Sequence, residues 1–175
     1  MKSYLCQVKS KKTYTVKEAQ HALEHFCTYQ ERTHREVEKK LIDLGMIPQA
    51  IDQITLSLLR DGFINEERFA KTYTGGKFRI NKWGRIKIKQ GLYKKGVSNA
   101  NIAIGLLIID EHDYQKTIND LILKKAKKIK AKNQYERKKK LLRYMQQKGF
   151  EANLVYSVFE ELENSLTRIP PLKGD

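Results

Sequence analysis

Apolar residues recur along this chain every three to four positions and almost nowhere in alternation, which is the signature of amphipathic helices rather than strands. Three glycines fix the register of the pattern. Gly45, Gly96 and Gly149 each close an amphipathic segment, and each is followed by an apolar residue: Met46, Val97 and Phe150. Such a pair predicts a helix end in which the glycine turns left-handed and the next side chain folds back onto the last turn. Four residues before each glycine stand Leu41, Leu92 and Met145; eight before stand Val37, Ile88 and Leu141. Six residues after come Ile51, Ile102 and Val155, and thirteen after come Leu58, Ile109 and Leu162. Agreement at so many offsets, repeated about every fifty residues, predicts an internal repeat. The expected architecture is all-α. Three tandem three-helix repeats cover 16–62, 65–111 and 113–163, with the glycine between the second and third helix of each.

Capping chemistry places the helix starts. Thr15 with Glu18, and Thr33 with Glu36, have the spacing of capping boxes, in which the hydroxyl and the carboxylate satisfy backbone N–H groups reciprocally. Asn65, Ser98 and Asp113 are further expected N-caps, and Pro48 fits a first helical turn. About nine helices with short links follow. Residues 1–15 are expected to form an N-terminal extension and 164–175 a loose tail, since Pro170 and Pro171 cannot continue a helix. A single unit is too small to be very stable, so neighbours are expected to pack together.

Charge changes the picture. The net charge is +15, yet it is regional: residues 20–70 sum to −3, residues 71–150 to +17 and the remainder after 150 to −3. No Asp or Glu occurs in 71–109. An anionic partner is therefore expected, either nucleic acid or an acidic protein surface, against the plainer possibility of solvated lysine faces. In the second unit Lys82, Arg85, Lys87, Lys89, Lys94 and Lys95 surround the apolar Ile88 and Leu92. In the third, Tyr114, Ile118, Leu121, Ile122, Ala126 and Ile129 form an apolar stripe, beside an i, i+4 ladder of Lys124, Lys128 and Lys132. Arg137, Lys138, Lys139, Lys140 and Arg143 follow. Trp83 lies within the first basic run, where packing between units, anchoring a protein interface and stacking on a base are all open. Tyr73 and Phe78 read as packing residues, while Tyr93 fits either surface.

Other chemistries have little support. His21 and His25 share a helical face near Cys27, with His34 further on, but no second ligand pair completes a metal set. Gly75-Gly76-Lys77 lacks the spacing of a phosphate loop, and no Gly-x-Ser-x-Gly elbow occurs, so neither an enzyme nor a cofactor is expected. Glu66 and Glu67 suit a helix start without any catalysis. With only Cys6 and Cys27, a charged N-terminus lacking an apolar core and a longest apolar run of 102–109, a cytoplasmic, monomeric protein is expected.

The segment Leu59-Arg60-Asp61-Gly62-Phe63-Ile64-Asn65-Glu66-Glu67-Arg68-Phe69-Ala70 carries a resemblance. It is followed by Lys82-Trp83-Gly84-Arg85-Ile86-Lys87-Ile88 and by Leu92-Tyr93-Lys94-Lys95-Gly96-Val97. Together these resemble the RecX regulatory proteins, over about residues 15–165. Asn65 stands where the family commonly has Asp, and the lysine-rich third unit is the most divergent. The resemblance implies an elongated, curved molecule of three-helix repeats. It also implies a partner, the RecA recombinase and its filament on single-stranded DNA, whose growth such proteins restrain. Weak direct DNA binding is compatible with it. An autonomous helical DNA-binding protein, or a scaffold for an unrelated acidic protein, is the alternative. The basic face expected to make the contact comprises Lys82, Trp83, Arg85, Lys87, Lys89, Lys94, Lys95, Lys124, Lys128, Lys132, Arg137, Lys138, Lys139 and Arg143.

Overall fold

The computed structural model describes residues 13–167, with side chains described through Leu162. Cys6, most of the expected N-terminal extension and the proline-containing tail lie outside the described residues. Nine helices and no strand occur among those described. In order they are α1 (Val16–Tyr29), α2 (His34–Asp43), α3 (Pro48–Arg60), α4 (Glu66–Arg79), α5 (Arg85–Lys94), α6 (Asn99–Leu106), α7 (Glu111–Ala126), α8 (Gln134–Lys148) and α9 (Ala152–Thr167).

Local chemistry accounts for most of these boundaries. Both capping boxes form: Thr15 Oγ1 accepts from Glu18 N and Thr33 Oγ1 from Glu36 N, with each glutamate returning to the threonine N–H. Pro48 opens α3, and Ser98 caps α6 through Asn101 N. The expected cap at Asp113 is incorrect. Asp110 is the N-cap, and its carboxylate accepts from Asp113 N at 2.9 Å. Either acid can cap, but the earlier one also lets Glu111 and Asp113 lie in the first turn, where the helix dipole favours them. The lysine ladder is also incorrect as a helical feature. α7 ends at Ala126, so Lys128 and Lys132 lie in the link to α8. Stacked like charges disfavour a continued helix, and Asn133 then starts the next one by accepting from Glu136 N.

The repeat glycines end their helices as expected. Gly45, Gly96 and Gly149 have φ near +80°, and the following amide bonds back in each case: Met46 to Leu41 O, Val97 to Leu92 O and Phe150 to Met145 O. Gly62, not singled out by the repeat pattern, does the same for α3, with Phe63 N donating to Leu58 O.

The chain divides into two compact units, the first ending at Asn65 and the second starting at Glu66. The first unit holds α1–α3 around Leu23, Val37, Leu41, Ile54, Leu58 and Ile64. The second holds α4–α9, two three-helix repeats that share one core. That core takes Phe69, Ile88, Leu92 and Ile102 from one repeat, and Tyr114, Ile118, Met145, Phe150 and Val155 from the other. The stripe read from the sequence is therefore the inward face of α7, with Leu121 and Ala126 packing at its margin and Ile129 following from the link beyond the helix. Close approach of α4 and α6 depends on Gly105, where a Cβ would meet Ala70. Glu66 ties the starts of both helices by accepting from Asn101 Nδ2 at 3.0 Å.

Candidate functional site

The basic segment after α4 bends through a lysine. Lys82 has φ +52°, the only positive value at a non-glycine position among the described residues. Its amide donates to Phe78 O and that of Trp83 to Lys77 O, so Lys82 closes α4 in the conformation that glycines adopt elsewhere in the chain. A non-glycine left-handed residue costs roughly 1–2 kcal/mol.

The next residues thread into the third repeat. Gly84 N donates to Lys148 O at 2.9 Å and Ile86 N to Gly149 O at 3.1 Å. Arg85 N donates to the Tyr114 phenol at 3.0 Å, and that phenol donates to Glu151 Oε2 at 2.6 Å. α5 has only Gly84 at its N-cap, with no side chain to satisfy its first amides. The third repeat supplies those acceptors instead, from a helix-ending carbonyl and a buried hydroxyl. The Arg85 guanidinium lies 4.1 Å over the Tyr114 ring and bonds Glu111 Oε2 at 2.7 Å. Burial, aided by the bond to Glu151, pushes the Tyr114 phenol far above its ordinary pKa. It is a neutral hydrogen-bonding group, and sequence alone showed it only as a member of an apolar stripe.

Trp83 is half-buried against the shared core. The ammonium groups of Lys77 and Lys87 lie 5.0 and 4.7 Å from its ring. Lys87 Nζ also bonds Gln147 O and Lys148 Nζ bonds Asn81 O, each at 3.1 Å, so cations reach across the junction in both directions. Tyr73 lies beneath Lys77, with its phenol raised above its usual pKa by burial.

The residues expected to form the basic face thus separate by environment. Trp83, Arg85 and Lys87 are half-buried parts of the junction. Arg137 donates to Ala126 O at 2.7 Å and closes the end of α7. Lys95 and Lys138 are half-buried, with the Lys95 ammonium 5.8 Å from the Phe69 ring. Lys82, Lys89, Lys94, Lys124, Lys128, Lys132, Lys139 and Arg143 have exposed side chains. Ile86 and Tyr93 are exposed beside Lys89 and Lys94 on α5. Lys77, Lys148, Glu111, Tyr114 and Glu151 complete the junction and were missed, because nothing in the sequence pairs positions so far apart.

His112 lies with Asp110 and Asp113 in an exposed group at the start of α7, their side-chain ligand atoms within 4.8 Å of one another. His21, His25, His34 and Cys27 form no such group. His21 Nδ1 lies 3.0 Å from Glu24, His34 Nε2 3.7 Å from Glu38, and Cys27 is buried. No helix among the described residues is long and apolar enough to cross a membrane.

Comparison with known proteins fits this arrangement. The family model for the second three-helix domain of RecX matches residues 65–106, and that for the third matches residues 112–159. The chain belongs to the RecX family. A regulatory protein RecX from Clostridium perfringens (strain 13 / Type A) is 31% identical over 136 residues, spanning 77% of this chain and 63% of that protein. One from Bacillus cereus (strain B4264) is 30% identical over 142 residues, spanning 79% of this chain and 52% of that protein. The chain thus spans between about half and just under two thirds of the RecX proteins it matches here. In fold, it is similar to the crystal structure of RecX from Lactobacillus salivarius, with a TM-score of 0.78 at 23% identity, covering 85% of this chain and 97% of that one. The two RecX models fall on the two repeats whose junction is described above.

Proposed function

We propose that this chain binds the RecA recombinase and its filament on single-stranded DNA, and restrains filament growth, strand exchange and ATPase activity. Membership of a family of regulatory proteins supports the partner. The observation that carries the mode of binding is the distribution of exposed cations. Lys82, Lys89 and Lys94 on the second repeat, and Lys124, Lys128, Lys132, Lys139 and Arg143 on the third, face solvent. Exposed cations on both repeats suit the phosphates of a filament on single-stranded DNA. No cofactor enters this reading, and the site of action is the cytoplasm.

The test is RecA filament assembly on single-stranded DNA, with and without this chain. Slower extension or earlier loss of filaments supports the proposal. Unchanged assembly and ATPase at saturating protein overturns it. Tight binding to an oligonucleotide with no effect on RecA would instead favour an autonomous DNA-binding protein.

A further inference from the structure

The third repeat carries a groove that the junction does not use. It lies between the C-terminal half of α7 and the N-terminal half of α8, encloses about 540 Å³, and has an apolar floor of Ile122, Ala126, Ile129, Leu141 and Phe159. Leu123, which also lines it, is 43% exposed. Arg137 and Lys138 line it too. α9, which lines the groove with Phe159 and Leu162, carries Glu160 and Glu161, whereas residues 124–143 around the rest of it are lysine- and arginine-rich and contain one acid, Glu136. That acid is already engaged by Lys140 Nζ, at 2.8 Å, and by Lys132 N.

We propose that this groove docks an acidic amphipathic segment of another protein, most simply a short helix. Apolar side chains at helical spacing would cover the floor, and carboxylates would face the basic rim. Charge complementarity selects this occupant. A second copy of the same region would bring like charge to like charge. A nucleic-acid backbone would satisfy the rim but leave the apolar floor uncovered, because its contacts are made chiefly through phosphate and sugar. The groove shares the basic segment 124–143 with the RecA reading, but the proposal rests on the apolar floor, which that reading does not use.

The experiment uses the full chain and a fluorescent peptide of glutamates with Leu and Phe at i, i+3, i+4 and i+7. A scrambled peptide of the same composition and a labelled oligothymidylate are the references. Anisotropy is expected to show saturable binding of the patterned peptide, at least about tenfold tighter than the scrambled one. Leu123→Asp is expected to weaken that binding about tenfold or more, with oligothymidylate binding unchanged. Leu123→Gln, which adds no charge at this exposed helical position, is expected to give a smaller loss in the same direction. Circular dichroism confirms that both variants fold. Equal binding of patterned and scrambled peptides would overturn the proposal. So would competition by oligothymidylate with equal sensitivity to the Leu123 variants, which would assign the groove to nucleic acid. Self-association of the chain that the peptide disrupts would assign it to a second copy.

Discussion

Gly84 and Gly149 meet backbone to backbone. A Cβ on Gly84 would fall inside the Gly149 carbonyl group, and one on Gly149 would strike Lys87. The two residues are far apart in sequence and belong to successive repeats, so this contact sets how closely the repeats seat. Alanine at Gly84 is expected to destabilise the second unit by at least the roughly 1–3 kcal/mol typical of overpacking, because the obstacle is main chain and cannot rotate away. Gly45 has the same left-handed turn but nothing within 4 Å of its Cβ position. Gly45→Ala should cost only the conformational penalty, about 1–2 kcal/mol. The single tryptophan lies at the junction, so urea unfolding followed by Trp83 emission reports on it directly. A Gly84→Ala midpoint equal to that of the parent would refute the tight seating.

Tyr114 is buried, and its hydroxyl accepts from the Arg85 amide across the junction while donating to Glu151 within the third repeat. Tyr114→Phe leaves the ring packing but strands the Arg85 amide and a Glu151 oxygen. The expected loss is about 1–3 kcal/mol, the usual cost of an orphaned buried polar group. The pH dependence gives a second signature. The folded-state pKa of this phenol lies above the ordinary 10.0. Its contribution is therefore complete below pH 10 and falls as pH rises above it, where the unfolded chain ionises and the folded one does not. Parent protein should lose stability on the alkaline side of pH 10 more steeply than Tyr114→Phe. Parallel pH–stability profiles would remove the buried phenol from the account.

The first unit offers a cleaner test of a local signal. Thr33 is 1% exposed, and its hydroxyl caps α2 while Glu36 returns to its amide. Thr33→Ala should cost about 1 kcal/mol, and Thr33→Ser much less, because serine keeps the oxygen. Amide hydrogen exchange along α2 resolves the change from events in the second unit. Equal protection in the alanine and serine variants would mean that the cap contributes nothing measurable.

The capping boxes and the glycine stops were readable because each is closed by residues within one turn of the other. Thr15 needs only Glu18, and Gly96 needs only Val97 and Leu92. The core positions were readable for a related reason: the repeat presents the same offsets three times, and burial of Leu41, Leu92 and Met145 answers to one rule. The junction had no such local signature. Tyr114 registers in sequence as apolar because its ring spacing matches Ile118 and Ile122, while its function in the fold belongs to the hydroxyl. Arg85 and Lys87 register as free charge because their partners, Glu111 and the Gln147 carbonyl, lie in another repeat. Asp113 was mistaken for a cap because Asp110 sits one turn earlier with equal chemistry, and only the backbone decides between them.

That separation of cations changes how the proposed RecA contact should be tested. Changing Lys82, Arg85, Lys87 and Lys89 together would remove exposed charge and dismantle part of the junction at once. Arg85→Ala alone is expected to lower stability, because it removes the bond to Glu111 and the stacking on Tyr114. By contrast, Lys82→Ala, Lys89→Ala and Lys94→Ala remove exposed side chains and should each cost less stability in urea than Arg85→Ala. The triple variant that combines them is expected to lose restraint of RecA filament growth. If phosphates are neutralised by these lysines, its binding to the filament should also show a shallower dependence on salt, by about 0.7 of a unit of log–log slope for each single-strand phosphate left without its cation. A second set, Lys124, Lys128, Lys132, Lys139 and Arg143, tests whether the third repeat extends the same surface. Loss of restraint in both folded variants would support one continuous basic face. Full restraint by the folded Lys82, Lys89 and Lys94 variant would exclude that part of the second repeat, and the strained Lys82 with it, from the contact.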